Sequence, residues 1–219
     1  MGRLNLGERE YLTLLQLLRI AYWDSRFLFG DQTEHSDTCF PIRNVLDVGA
    51  GDQFMKAPIC SRRVSYTPLD FADCDFEVEP FPVQSSSIDC VLSLAVIEHI
   101  RDPSNFMSEA FRSLRPGGLL WLSTPNWWYS SRNFFDDFTH VKPYSPISLV
   151  NLVTSFGFDR AISFPNLRCK ARWNYVGPFR YARARYCFPF RGDTKLIVPE
   201  FLKGKSLGMF VLARKPIAL

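Results

Sequence analysis

The sequence predicts an α/β fold with a mostly parallel central sheet and helices on both faces. Two observations predict it. Residues 87–96 and 119–125 are apolar runs with little alternation, as strands are when both faces of a sheet are covered. Between such runs lie stretches with helical apolar spacing and helix-start residues, and strands alternating with helices build a parallel sheet. A third feature, the glycine turn "DVGAG" at residues 47–51 behind a short apolar run, marks where such a sheet meets a ligand.

The elements follow in order. Residues 8–26 read as a helix with Leu14, Leu15, Leu18 and Tyr22 on one stripe, and 30–41 as a polar connection. Residues 43–49 are the first strand, followed by the glycine turn and a weak helix. Residues 63–70 form a second strand ending at Asp70, 75–80 a short third and 87–96 a fourth. Residues 102–115 are a helix with Asp102 as N-cap and Pro103 at its first position, where proline is favoured; Pro116-Gly117-Gly118 stops it. Residues 119–125 are the fifth strand. Ser145, Pro146 and Gly157 cap, start and end the next helix, and 206–215 are the last strand. We therefore expect one domain over 1–219: a helical cover at 1–40, a ligand-binding core at 42–160, a basic and aromatic insertion at 165–205, and the closing strand at 206–219. Ligands on parallel sheets bind beyond the carboxyl ends of the strands. Residues 47–51, Asp70, 94–98 and 123–126 all fall there, so they are expected to converge on one crevice.

Composition narrows the class. The 219 residues, 47% hydrophobic and 22% charged, suit one soluble globule. The first residues show no apolar signal core, Leu6 breaks a myristoylation pattern, and Thr13, Gln16 and Arg19 interrupt the apolar run at 11–23; a cytoplasmic protein is expected. The six cysteines form no C-x-x-C pair and no ligand-spaced cluster with histidine, so no metal is expected and the thiols read as reduced. Residues 159–219 carry 13 Lys/Arg and 3 Asp/Glu, a net +10, against −6 for the first 158. That asymmetry suggests an anionic partner for the C-terminal part.

Two ligand classes suit the glycine turn: a dinucleotide, and a cationic nucleoside such as S-adenosylmethionine. Asp70, 21 residues after Gly49, serves the ribose of either. Asp47 and Asp52 favour the cation, because a pyrophosphate beside them is repelled by roughly 4 kcal/mol per charge pair at ~4 Å. The third glycine of the dinucleotide fingerprint is also missing, since Phe54 stands there.

The blocks "VLDVGAGD", "YTPLD", "SLAVIEHIRDP", "RSLRPGG" and "FTHVKPYSPISLVNLVTSFGF", in this order, closely resemble the class I S-adenosylmethionine-dependent methyltransferases over residues 42–160. The resemblance implies a Rossmann-like fold and S-adenosylmethionine as cofactor. Asp47, Gly49, Ala50 and Gly51 would line its methionine end. Asp70 would take the ribose hydroxyls with Phe71 beside it, Asp75 and Phe76 the adenine, and Leu94 and Ala95 the sulfonium. Gln53 departs from the small residue common after the turn.

On the acceptor side, His140 is the candidate base, since histidine exchanges a proton near neutral pH; it also fits a loop-shaping role. Asp136 and Asp137 are alternatives. Glu98 and His99 read as structural more than chemical, although His99, Asn126, Tyr144, Arg180 and Arg183 are placed against the acceptor. Arg172, Arg180, Arg183, Arg185 and Arg191 alternate with aromatic residues. They fit a solvated basic lid and an anionic membrane or phosphorylated glycan alike; a nucleic acid ranks lower, since no RNA-binding fold signature is present. The expected reaction is in-line methyl transfer to an oxygen of a small-molecule, glycan or lipid-linked acceptor, with peripheral contact to an anionic membrane in view. RNA methylation, and S-adenosylmethionine binding without turnover, are the alternatives.

Overall fold

The computed structural model describes residues 42–60, 64–165, 190–191, 203–205 and 207–217. The helix expected over 8–26 lies outside the described residues. So does most of the 165–205 insertion, with Arg180 and Arg183.

A six-stranded sheet runs in the order β2-β1-β3-β4-β8-β5. Its strands are β1 (Asn44–Val48), β2 (Ser65–Leu69), β3 (Ile88–Leu94), β4 (Leu114–Pro125), β5 (Asp159–Pro165) and β8 (Gly208–Arg214). Two short segments, β6 (Phe190–Arg191) and β7 (Lys203–Lys205), pair separately. β2, β1, β3 and β4 are mutually parallel, while β8 runs antiparallel to β4 and to β5. The fold class is the expected one. Each central strand buries both faces: Leu46 and Val48 pack with Leu120, Leu122 and Val211 on one side, and Val45 with Cys90, Leu92, Trp121 and Phe210 on the other. That two-sided burial is why their sequences do not alternate.

The helices are α1 (Lys56–Cys60), α2 (Ser104–Ser113), α3 (Trp127–Ser130) and α4 (Pro146–Ser155). α4 starts as expected. The Ser145 hydroxyl accepts from the Ser148 amide at 3.1 Å, and Ser148 Oγ accepts from the Ser145 amide at 2.8 Å, a capping box with Pro146 behind it. α2 begins at Ser104 rather than Pro103, and the Asp102 carboxylate still accepts from the Ser104 amide at 3.0 Å.

Two expectations are corrected, and one strand is added. Residues 75–80 form no strand: the amides of Val78 and Glu79 donate back to Asp75 O, and Asn105 Nδ2 donates to Phe76 O and Glu79 O. Phe76 alone is anchored in the core, and the charged residues around it turn away. Pro116-Gly117-Gly118 does not end α2, which stops at Ser113; those residues lie inside β4. Lys215 Nζ donates to Phe111 O and Leu114 O at 2.8 and 2.7 Å, so a cation from β8's end satisfies carbonyls left over at the helix terminus. β5 was not expected; Gly157, at φ 89°, turns α4 into it.

Candidate active site

The order of the sheet changes direction between β1 and β3, since the chain leaves β1 for β2 on one side and reaches β3 on the other. A crevice opens at the carboxyl ends of the strands at such a point. The glycine turn sits there. Gly49 has φ +77° and its amide donates to Leu69 O at 2.7 Å. A Cβ on Gly49 would lie 2.2 Å from Val96 Cγ2, so the turn after β1 and the loop after β3 are in direct contact. Gly51 has φ +46°, and a Cβ on it would meet nothing within 4 Å among the described residues. Gln53 also holds a positive φ, 52°, a position glycine takes without strain.

Asp47 closes β1 at 3% exposure. Tyr66 Oη donates to its Oδ2 at 2.5 Å. Burial pushes the Asp47 carboxyl up to about 6; the Tyr66 bond works against the shift and the charge of Asp70 adds to it. The Tyr66 phenol is itself pushed up, by burial and by Asp47, and stays a donor.

Asp70 accepts from the Gly51 amide at 3.0 Å through one oxygen and from the Phe71 amide at 2.8 Å through the other. It thereby ties the end of β2 to the glycine turn. Phe71 is 47% exposed and leans on the buried Phe76 ring, with centroids 4.3 Å apart. Asp75 is exposed, and its carboxylate accepts from the Glu77 amide at 2.9 Å. Leu94 and Ala95 end β3. Ala95 is exposed, with φ +58°, and its amide donates to Ser123 O and Oγ at 2.9 and 3.1 Å. The segments expected to converge therefore do so.

Beyond Val96, the loop reaches Glu98 and His99. The amides of Val141 and Lys142 donate to Glu98 O at 2.9 and 3.0 Å, which draws residues 139–142 against it. The imidazoles of His99 and His140 then lie with centroids 4.8 Å apart. His99 Nδ1 is 3.1 Å from Thr139 O, and His140 Nδ1 is 2.6 Å from Phe134 O. A carbonyl only accepts, so each Nδ1 is the donor, and in the neutral ring Nε2 keeps its lone pair. Asp137 Oδ2 is 3.8 Å from His140 Nε2. Glu98 is 1% exposed, and neither carboxylate oxygen has a hydrogen-bond partner among the described residues. Burial pushes its carboxyl up to about 7; the nearby Thr124 hydroxyl, outside hydrogen-bonding geometry with it, acts against the shift without reversing it.

Asn126 and Tyr144, placed against the acceptor by the sequence, are part of the frame. Asn126 is fully buried and its Oδ1 accepts from the Trp128 amide at 3.2 Å to start α3. Tyr144 is buried, bridges to Asn126 through the backbone, and its hydroxyl has no partner among the described residues.

Residues 20–161 match the family model described as "Methyltransferase domain". The chain belongs to the methyltransferase domain family. A "Probable S-adenosylmethionine-dependent methyltransferase" of Mycolicibacterium smegmatis is 29% identical to it over 53% of this chain and 52% of that protein. A "Ubiquinone biosynthesis O-methyltransferase" of Pelagibacter ubique is 22% identical over 50% and 53%. The chain thus spans about half the length of these relatives. Among solved structures, a SAM dependent methyltransferase from Archaeoglobus fulgidus shares the fold at TM-score 0.54 and 16% identity, covering 90% of this chain and 93% of that one. A possible histamine N-methyltransferase from Thermotoga maritima does so at 0.51 and 16%, covering 94% of each.

S-adenosylmethionine is the cofactor of this family, and the methyltransferase domain has groups that suit it. Two acids flank the turn, Gly51 faces open space, and Phe71 offers an exposed ring beside Asp70. Sequence reasoning passed over Tyr66, which orients Asp47 from the next strand, and Val96, which fixes Gly49. Sequence reasoning did not foresee that Glu98 is buried. The only sequence signal for Glu98 was the Glu-His pair itself, because its burial depends on β4 and on residues 139–142.

Proposed function

We propose that this chain transfers the methyl group of S-adenosylmethionine to an oxygen of an anionic glycan or lipid-linked acceptor. One observation carries the reading. The loop after β3 touches the glycine turn through Val96 and presents Glu98 and His99, and the 139–142 segment packed on it brings His140 beside them. A turn flanked by acids and a pair of imidazoles are thereby brought to the two ends of one loop.

Asp47, Gly49, Gly51, Asp70, Phe71, Leu94 and Ala95 are the residues we assign to the cofactor. Bound there, S-adenosylmethionine supplies a methyl group already activated by a positive sulfur. The chain's task is to hold the acceptor in line and keep water out. Asp47, once ionised, attracts the cofactor's cationic end. Asp70 keeps the turn in shape through the Gly51 amide and has lone pairs left for hydroxyls. His140 Nε2 is the site to which we give the acceptor's proton, with Asp137 Oδ2 3.8 Å away. The net +10 of residues 159–219 supports an anionic acceptor, including one at the surface of an anionic membrane. Nitrogen as the methylated atom, and RNA as the acceptor, have no structural feature specific to them among the described residues.

The test is calorimetric titration with S-adenosylmethionine, its demethylated product and NAD, followed by turnover on candidate acceptors. The first two are expected to bind and NAD not. His140→Ala is expected to slow turnover at least tenfold with cofactor affinity unchanged. NAD binding alone overturns the cofactor assignment, and tight cofactor binding without turnover on any acceptor favours a binding protein over an enzyme.

A further inference from the structure

We propose that Glu98, His99 and His140 form a binding site for a first-row divalent transition-metal ion, at the acceptor end of the site just described. The metal-ligating atoms of the three side chains all lie within 4.8 Å of one another. Two imidazoles and one carboxylate are a ligand set that suits zinc, iron(II), cobalt(II) or manganese(II) and leaves coordination positions open.

Three further features point the same way. Each histidine places Nδ1 on a backbone carbonyl, Thr139 O or Phe134 O. This is the outer-shell arrangement that fixes the tautomer of a metal-bound imidazole and leaves Nε2 as its ligand atom. Glu98 is 1% exposed and both its oxygens lack a partner among the described residues. A carboxylate buried without a donor or cation is costly, and an ion removes that cost. Asp137, 3.8 Å from His140 Nε2, adds a further oxygen at the edge of the cluster.

A tetrahedral ion with ligands at about 2.0–2.2 Å holds neighbouring ligand atoms about 3.4 Å apart. The cluster therefore closes by no more than about 1.5 Å around it, a movement that side-chain rotation supplies. The site rests on the methyl-transfer reading for its role only. An acceptor hydroxyl placed on an open position of the ion is the stronger acid and passes its proton to water; in the ion-loaded site His140 is a ligand, and the base role given above is that of the ion-free site.

The experiment strips the full chain with a chelator and titrates it with cobalt(II), read by visible absorption, and with zinc, read by calorimetry. Circular dichroism checks the fold of every sample, and S-adenosylmethionine binding is measured in parallel. One ion per chain is expected, with cobalt ligand-field bands and no thiolate charge-transfer band. Glu98→Gln and His140→Ala should each weaken cobalt binding at least tenfold. His35→Ala should not; it removes the chain's third histidine. A folded chain with no cobalt or zinc affinity below millimolar overturns the site, leaving a bridging water as the occupant. So do bands unchanged in Glu98→Gln and His140→Ala, or bands that carry thiolate character. Ion binding by a chain that ignores S-adenosylmethionine leaves the metal site standing and sinks the methyl-transfer reading.

Discussion

At Gly49 a single hydrogen atom decides whether two loops meet. An alanine there puts its Cβ 2.2 Å from Val96 Cγ2 and keeps a φ of +77°. The backbone conformation alone costs about 1–2 kcal/mol, and the clash adds to it. Gly49→Ala is expected to lose more stability in denaturant unfolding than Gly49→Ala with Val96→Ala, once the cost of Val96→Ala alone is subtracted. Equal losses mean that Val96 yields freely. Asp47 makes a second residue-scale prediction. Its carboxyl titrates at about 6 in the folded chain against an ordinary 3.8. The folded state binds that proton more tightly than the unfolded one, so this group's contribution to stability falls as pH rises from about 4 through about 6, by about 3 kcal/mol. Asp47→Asn removes the fall, and without ligand the variant is expected to be the more stable at pH 8. Its S-adenosylmethionine affinity runs the other way: at least tenfold weaker than the wild type at pH 8, and closer to it at pH 5, where Asp47 is mostly neutral. A pH-independent difference in affinity would show that charge is not what Asp47 contributes.

Among the elements, α4 shows how local chemistry sets a boundary. The Ser145–Ser148 capping box satisfies amides that the helix cannot. Ser145→Ala is expected to cost about 1 kcal/mol, read as a lower urea midpoint with unchanged slope. The cost matters for the site because Tyr144 and Asn126 bridge immediately before this cap, which helps hold residues 139–142 against Glu98. A loss confined to stability, with cofactor binding intact, is the expected pattern.

For the whole molecule, the sheet reverses direction beside β1, and charge separates along the chain. The first places the crevice; the second, +10 against −6, acts over distances that salt screens within about 8–10 Å. If the C-terminal basic segment recruits an anionic acceptor, KM for that acceptor rises several-fold between low and physiological ionic strength. Arg180→Gln with Arg183→Gln raises it further at low salt, with kcat nearly constant. A KM indifferent to salt would detach the basic segment from acceptor recognition.

The sequence by itself determined the alternation of strands and helices, the glycine turn and the acids around it. Those signals are local: a strand covered on both faces is apolar throughout, a turn at positive φ asks for glycine, and Ser145-Pro146 is a helix start within two residues. Residues 75–80 misled because charged and apolar residues alternated there without a strand to pair with. The end of α2 was misjudged because Lys215, a hundred residues on, satisfies its last carbonyls. Only the tertiary structure decided that Tyr66 holds Asp47, that Val96 closes on Gly49, and that His140, 41 residues from His99, lies beside it over a buried Glu98. Spacing along the chain carries no record of such meetings. They arise when parallel strands bring their carboxyl ends to one edge and the loops beyond them pack together.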